Sequence, residues 1–139
     1  MPNETDTLVK LKDTDETVVS GDEDIRGRSV KDRAGEDLGK VDDLLIDSKE
    51  NKVRFLIVAS GGFLGLGESK SFIPVDAVKH VLDDQVRIDQ TREHVAGAPA
   101  YDPELETDQG YYENVYGYYG YAPFWGAGYV YPGYPYYGV

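Results

Sequence analysis

The side chains in this sequence that could do chemistry are carboxylates, histidines and tyrosines, because the chain has no cysteine. That absence excludes a thiolate nucleophile, a disulfide framework and a sulfur-ligated metal. Carboxylates gather in two places, Asp42, Asp43 and Asp47 in one stretch and Asp83 with Asp84 in another. Neighbours in a strand point to opposite faces, so Asp42 and Asp43 could share an ion only across a bulge. The ligand spacing of a calcium loop is absent. A solvated face or a turn is therefore the expected setting for these acids. His80 and His94, the two histidines, stand fourteen residues apart. They have no serine or acid partner in a recognisable triad arrangement and are too few for a nitrogen-ligated zinc site. Surface positions are expected for both, and no catalytic residue, metal ligand or cofactor-binding residue is assigned.

Two further segments point to contact rather than to catalysis. The first is the glycine loop over residues 61–67, which carries Phe63, Leu64 and Leu66 among four glycines. A phosphate-cradling loop would open a helix, whereas this one leads into the strand-like Phe72, Ile73, Pro74, Val75. Its apolar residues either form a contact surface at a loop tip or fold back to plug the mouth of the domain. The second segment is the C-terminal tail. All 12 tyrosines fall at or after Tyr101, and from Gly110 onward the only charged side chain is Glu113. Tyr111, Tyr112, Tyr116, Tyr118, Tyr119, Tyr121, Phe124 and Trp125 are its candidate contact residues, since aromatic rings give stiff, amphipathic contact area. Recurrent Gly and Pro predict a low-complexity segment without a regular core of its own, lying outside the core of the domain before it. So much apolar surface with so little charge also predicts that the tail docks, on its own barrel or on a neighbour's.

The elements that must position these residues read as β structure. Residues 8–11 and 29–32 are short extended stretches, and Asp32, Arg33, Ala34, Gly35 is a turn in which Gly supplies a positive φ. Residues 38–47 form the next strand; Val41, Leu44 and Ile46 are spaced three and then two, so a bulge is expected at Asp42 and Asp43. After a turn over 48–52, residues 53–59 are apolar on both faces and predict a central, doubly buried strand. Residues 72–75 form a strand whose proline marks an edge or an end. A tight connection at residues 83–85 precedes a strand at 86–89. Helical turns are expected only at 76–80 and at 91–95, the latter with Thr91 as N-cap. About six short strands with no helix longer than two turns indicate an all-β fold, a small barrel or sandwich.

Length and charge bound the rest. A chain of 139 residues holds one small domain with tails. The expected division is a flexible N-terminus over 1–7, a barrel over 8–103 hinged at 96–99, and the tail over 104–139. The net charge of −12 divides into −6 over residues 1–24, −1 over 25–95 and −5 over 96–139. Such an acidic surface repels phosphate backbones, so direct nucleic-acid binding is not expected. The longest apolar run, residues 55–59, is far below the ~18 residues of a membrane span. Residues 1–6 lack the basic and apolar pattern of a secretory signal, and a cytoplasmic location is expected.

The runs Asp24-Ile25-Arg26-Gly27-Arg28, Gly39-Lys40-Val41-Asp42-Asp43-Leu44-Leu45-Ile46-Asp47 and Val53-Arg54-Phe55-Leu56 together resemble the PRC-barrel domain, the module named after the H subunit of the photosynthetic reaction centre. The glycine loop, Ile73-Pro74-Val75-Asp76-Ala77-Val78 and Asp89-Gln90-Thr91-Arg92-Glu93-His94-Val95 look like the same family, over roughly residues 8–103. The resemblance implies a six-stranded barrel used as a non-enzymatic interaction or assembly module. It is greatest to short, stress-associated bacterial members, some of which carry a Tyr, Gly and Pro tail. A true H subunit would carry a membrane-spanning helix, which this sequence lacks. The family also includes the ribosome maturation factor of the small subunit, which leaves an adaptor in RNA or ribosome maturation, acting through a protein partner, as the alternative. A domain this small gains from association, so a homo-oligomer is expected alongside a protein partner.

Overall fold

The computed structural model describes residues 8–11, 24–50, 52–60, 69–99 and 108–132. Seven strands are present: β1 Leu8–Lys10, β2 Ser29–Lys31, β3 Asp37–Asp47, β4 Lys52–Ser60, β5 Ser69–Pro74, β6 Val78–Val81 and β7 Gln85–Ile88. Their order in the sheet is β5-β4-β3-β2-β7-β6, with β1 beside β3. All pairs are antiparallel except β2 with β7. The ladder does not close between β5 and β6. The chain itself joins these two ends of the sheet, through a single 3-10 turn at Val75–Ala77.

β3 organises the sheet because its 11 residues serve three partners. One edge carries β4 along most of its length, while the other carries β2 at Asp37–Lys40 and β1 at Leu45–Asp47. Its register with β4 slips between Val41 and Asp43, at the bulge that the apolar spacing predicts, and slips again between Leu45 and Ile46. Each slip lets the strand bend, which is how a long strand can belong to two edges at once. Gly39 is required here: its φ is +126°, and a Cβ would lie 2.2 Å from the Ala59 carbonyl oxygen. Gly39→Ala is therefore expected to destabilise the protein by roughly 1–3 kcal/mol through backbone strain and overpacking against β4. Chemical denaturation checks this, and an unchanged midpoint would show that β3 can retreat from β4 without cost.

β4 is the doubly buried strand the sequence predicts, with residues 53–59 all buried between β3 and β5. Pro74 ends β5, at one end of the strand order. The turn at residues 32–35 is also as expected, with Gly35 at φ +87°. Residues 76–80 depart from expectation. Only Val75–Ala77 is helical, and Val78–Val81 is β6, the strand that raises the expected six to seven. Its pairing with β7 across a tight connection decides this, with Val78 and Val81 turned into the core and the Leu82 amide donating to the Gln85 carbonyl at 2.8 Å. Thr91 caps helix α1, Arg92–Ala96, by accepting from the His94 amide at 3.1 Å.

The largest departure lies in the tail. Residues Gln109–Tyr119 form an 11-residue helix, α2, although Gly and Pro there predict no regular structure. No proline falls between Pro103 and Pro123. Asp108 caps the start by accepting from the Tyr111 amide, and Gly120, at φ +86°, closes the end. Tyr111, Tyr112, Val115, Tyr116 and Tyr119 recur at one, three, one and three residues, which places them on one helical face, and all five are buried. Gly110 and Gly117 each cost the helix about 1 kcal/mol relative to alanine, a penalty that burial of this face outweighs. These residues belong to the same hydrophobic cluster as the barrel's own core. The expectation that the tail lies outside that core is thus not met.

Candidate interaction surface

The tail is built onto the barrel ring by ring. Phe55 of β4 meets Tyr112 at 5.1 Å and Tyr116 at 5.0 Å between ring centroids. Phe72 of β5 stacks on Tyr112 at 5.7 Å and meets the edge of Tyr111 at 5.8 Å. On the other side of α2, Tyr118 lies flat against His94 at 4.2 Å and donates its hydroxyl to the His94 carbonyl at 2.6 Å. Gly97 makes room for this, since a Cβ there would sit 2.7 Å from the Tyr118 hydroxyl. His94 is accordingly half-buried under the tail, whereas His80 is exposed as expected. The Tyr116 and Tyr119 hydroxyls are buried with no well-formed hydrogen bond among the described residues. Burial pushes both phenols far above their ordinary range and keeps them neutral.

After α2, residues 121–132 run back over the barrel as a strap without regular secondary structure. Tyr121 accepts from Gln90 Nε2 at 3.0 Å. Trp125 packs edge-on against Tyr116 at 5.9 Å and against Phe124 at 5.1 Å. Tyr129 donates to Asp76 Oδ2 at 2.9 Å, and Tyr131 donates to the Val53 carbonyl at 3.0 Å. The strap converges on Arg54, the one charged residue among the buried residues 53–59 of β4. Its side chain is 2% exposed. The guanidinium lies 4.3 Å from the Phe124 ring centroid and 5.5 Å from that of Tyr131. A buried cation requires partners, and these are Asp47 Oδ2 at 3.2 Å and the outer carboxylate of Glu50.

Two of the acids therefore stand corrected. Asp47 is buried because it is the counter-ion of Arg54, and Asp43 is buried at the bulge, where its Oδ1 accepts from the Leu44 amide at 2.8 Å. The first register slip leaves Asp42 as the extra residue of β3, and the second leaves Arg54 as the extra residue of β4. Asp42, Asp83 and Asp84 are exposed as expected, and Asp42 pairs with Lys70 at 3.2 Å. Among the described residues the carboxylates of Asp32, Glu36 and Glu93 lie within 4.8 Å of one another. The Asp32 oxygens are already engaged, accepting from the amides of Glu36, Ala34 and Arg92 at 2.7–2.8 Å. Burial alone would raise its carboxyl, but these amides together hold it below the usual value.

The opposite end of β4 carries none of the described tail residues. A groove of about 580 Å³ opens there, lined by Gly27, Ser29, Asp37, Gly39, Lys40, Val41, Asp42 and Ala59. Ser60 and Ser69 are register partners at the end of the β4–β5 ladder, next to Ala59. Phe63, Leu64 and Leu66 lie outside the described residues. Tyr111, Tyr112, Tyr116, Tyr118, Tyr119, Tyr121, Phe124 and Trp125 are brought together, and every one of them is set against its own chain.

None of the helices among the described residues is long and apolar enough to cross a membrane. No curated protein matches the sequence. The sequence model of the PRC-barrel domain family, generally a non-catalytic interaction module, matches residues 18–95, the stretch that runs from before β2 to the end of α1. That match takes in more than half of the chain, and with the β-rich fold described above it shows that this chain belongs to the PRC-barrel domain family.

Proposed function

We propose that this protein is a non-enzymatic assembly module that takes a protein partner at the loop end of its barrel. The observation that carries the reading is the fate of the tail. Its described rings are packed on the chain's own core, which turns the proposal to the other candidate contact segment, the glycine loop that joins β4 to β5 next to the groove residue Ala59 in sequence. Phe63, Leu64 and Leu66 are its apolar anchors, and the net charge of −12 favours a basic protein surface over a nucleic acid. The module is cytoplasmic in this reading, and resemblance to stress-associated members directs the search for partners to stressed cells. Crosslinking followed by co-purification tests the proposal with the full chain and a Phe63→Ser, Leu64→Ser, Leu66→Ser variant. Loss of the apolar anchors is expected to weaken capture about tenfold or more. A captured second copy would make the module a homo-oligomer, and a captured basic ribosomal protein would make it the maturation adaptor. Undiminished capture by the variant would overturn the site. Submicromolar RNA binding that weakens steeply with salt would overturn the function.

A further inference from the structure

The strap is fastened to the barrel by few polar contacts, and one of them is a carboxylate with an incomplete set of partners. Asp76, in the 3-10 turn between β5 and β6, accepts the Tyr129 hydroxyl on Oδ2 at 2.9 Å. Its Oδ1 is buried and has no hydrogen-bond partner among the described residues. The titratable groups that face Asp76 are Arg54 from β4, Tyr116 from α2, and Tyr121 and Tyr129 from the strap. Arg54 is the one cation of this set, and its guanidinium is held by Asp47 and Glu50. The tyrosines are kept neutral by burial. An ionised Asp76 in this place therefore has one side-chain donor, its own amide and a buried Oδ1 without a well-formed hydrogen bond, a costly state for a half-buried carboxylate. A protonated Asp76 carries less of that cost, and an ionised one gains water at Oδ1 when the strap lifts.

We propose that Asp76 is a proton-sensitive fastening for residues 121–132: protonated, it holds the strap over Arg54, and ionised, it loosens the strap and uncovers that end of β4. The device is independent of the partner site at the far end of the barrel. Desolvation, partly offset by the Tyr129 hydrogen bond and by Arg54, raises the carboxyl above its ordinary 3.8. A raised value in the docked state favours docking fully below the ordinary one, and the gain is lost as pH rises through the raised one. The helix α2 stays in place in both states, since none of its buried rings contacts Asp76 through a hydrogen bond among those described.

Trp125 is the only tryptophan and sits in the strap between Tyr116 and Phe124, so its emission reports docking. Emission maximum and acrylamide quenching of the full chain are measured as pH rises from the ordinary carboxylate range to well above it. The expected result is a red shift and stronger quenching at the higher pH, absent in Asp76→Asn. Every other titratable group is intact in that variant, so a response that disappears with it belongs to Asp76. Tyr129→Phe removes the hydrogen bond that favours the ionised form and is expected to move the midpoint to higher pH. A wild-type signal that is flat with pH, a response retained in Asp76→Asn, or a midpoint unmoved or lowered in Tyr129→Phe would overturn the proposal.

Discussion

A chain ending at Pro103 is expected to lose cooperative unfolding at room temperature. The deletion removes Tyr111, Tyr112, Val115, Tyr116 and Tyr119 from the common core and leaves Phe55 and Phe72 facing water at the positions those rings now cover. Each buried side chain of this size contributes about 1.5–3 kcal/mol. Native domains are stable by only about 5–15 kcal/mol in total, so the loss of five such groups exceeds what the remaining barrel can absorb. Near-ultraviolet circular dichroism, thermal unfolding and dye binding to exposed apolar surface distinguish the outcomes. A sharp transition close to that of the full chain would show that β4 and β5 close over their own aromatic residues without help. Tyr112→Ala is a smaller version of the same experiment. A fully buried ring lost to a cavity costs about 3–5 kcal/mol, which chemical denaturation of the full chain measures.

Replacement of Arg54 by alanine is expected to cost about 3–5 kcal/mol, the usual consequence of leaving one partner of a buried ion pair alone. The remaining partner here is Asp47, itself 3% exposed, whose carboxylate also accepts from the Lys49 amide at 3.0 Å. Glu50 contributes less, because its side chain is 54% exposed and water replaces the lost contact. The variant also loses the guanidinium on which Phe124 stacks, so the strap should loosen along with the fold. Two further substitutions separate the effects. Asp47→Asn with Arg54→Met removes both charges and is expected to be far less damaging than Arg54→Ala, since no buried charge is left without a partner. Arg54→Lys keeps the charge but loses the planar fork and the ring stack, and should fall between wild type and alanine. Urea denaturation measures all three, and an Arg54→Ala midpoint equal to that of wild type would mean that Asp47 reaches water in the native state.

The contrast between these two regions and the rest of the barrel shows how far sequence patterns reach. The bulge at Asp42 and Asp43, the positive φ of Gly35, the Thr91 cap, and the doubly buried strand at residues 53–59 were legible because each is a local matter. Apolar spacing, a single φ value or one hydroxyl settles it within a few residues. The family was legible for the same reason, as a series of short ordered motifs. What the sequence did not declare was decided by partners far along the chain. Val78–Val81 had the composition of a helical turn until β7 offered it a ladder. Residues 109–119 could be seen only as Gly- and Tyr-rich, although Asp108, Gly120 and the one-and-three spacing of buried rings were signals of a helix. Arg54 and Asp47 became a buried pair because a strap 70 or more residues later closed over them, as the Tyr131 hydroxyl, 78 residues from Val53, shows. The sequence by itself determined the barrel, its turns and its charge, since those follow from backbone geometry and local pattern. Only the tertiary structure decided where the aromatic tail is used, because the free energy that orders it comes from apolar surface on β4 and β5 that no window of sequence brings into contact.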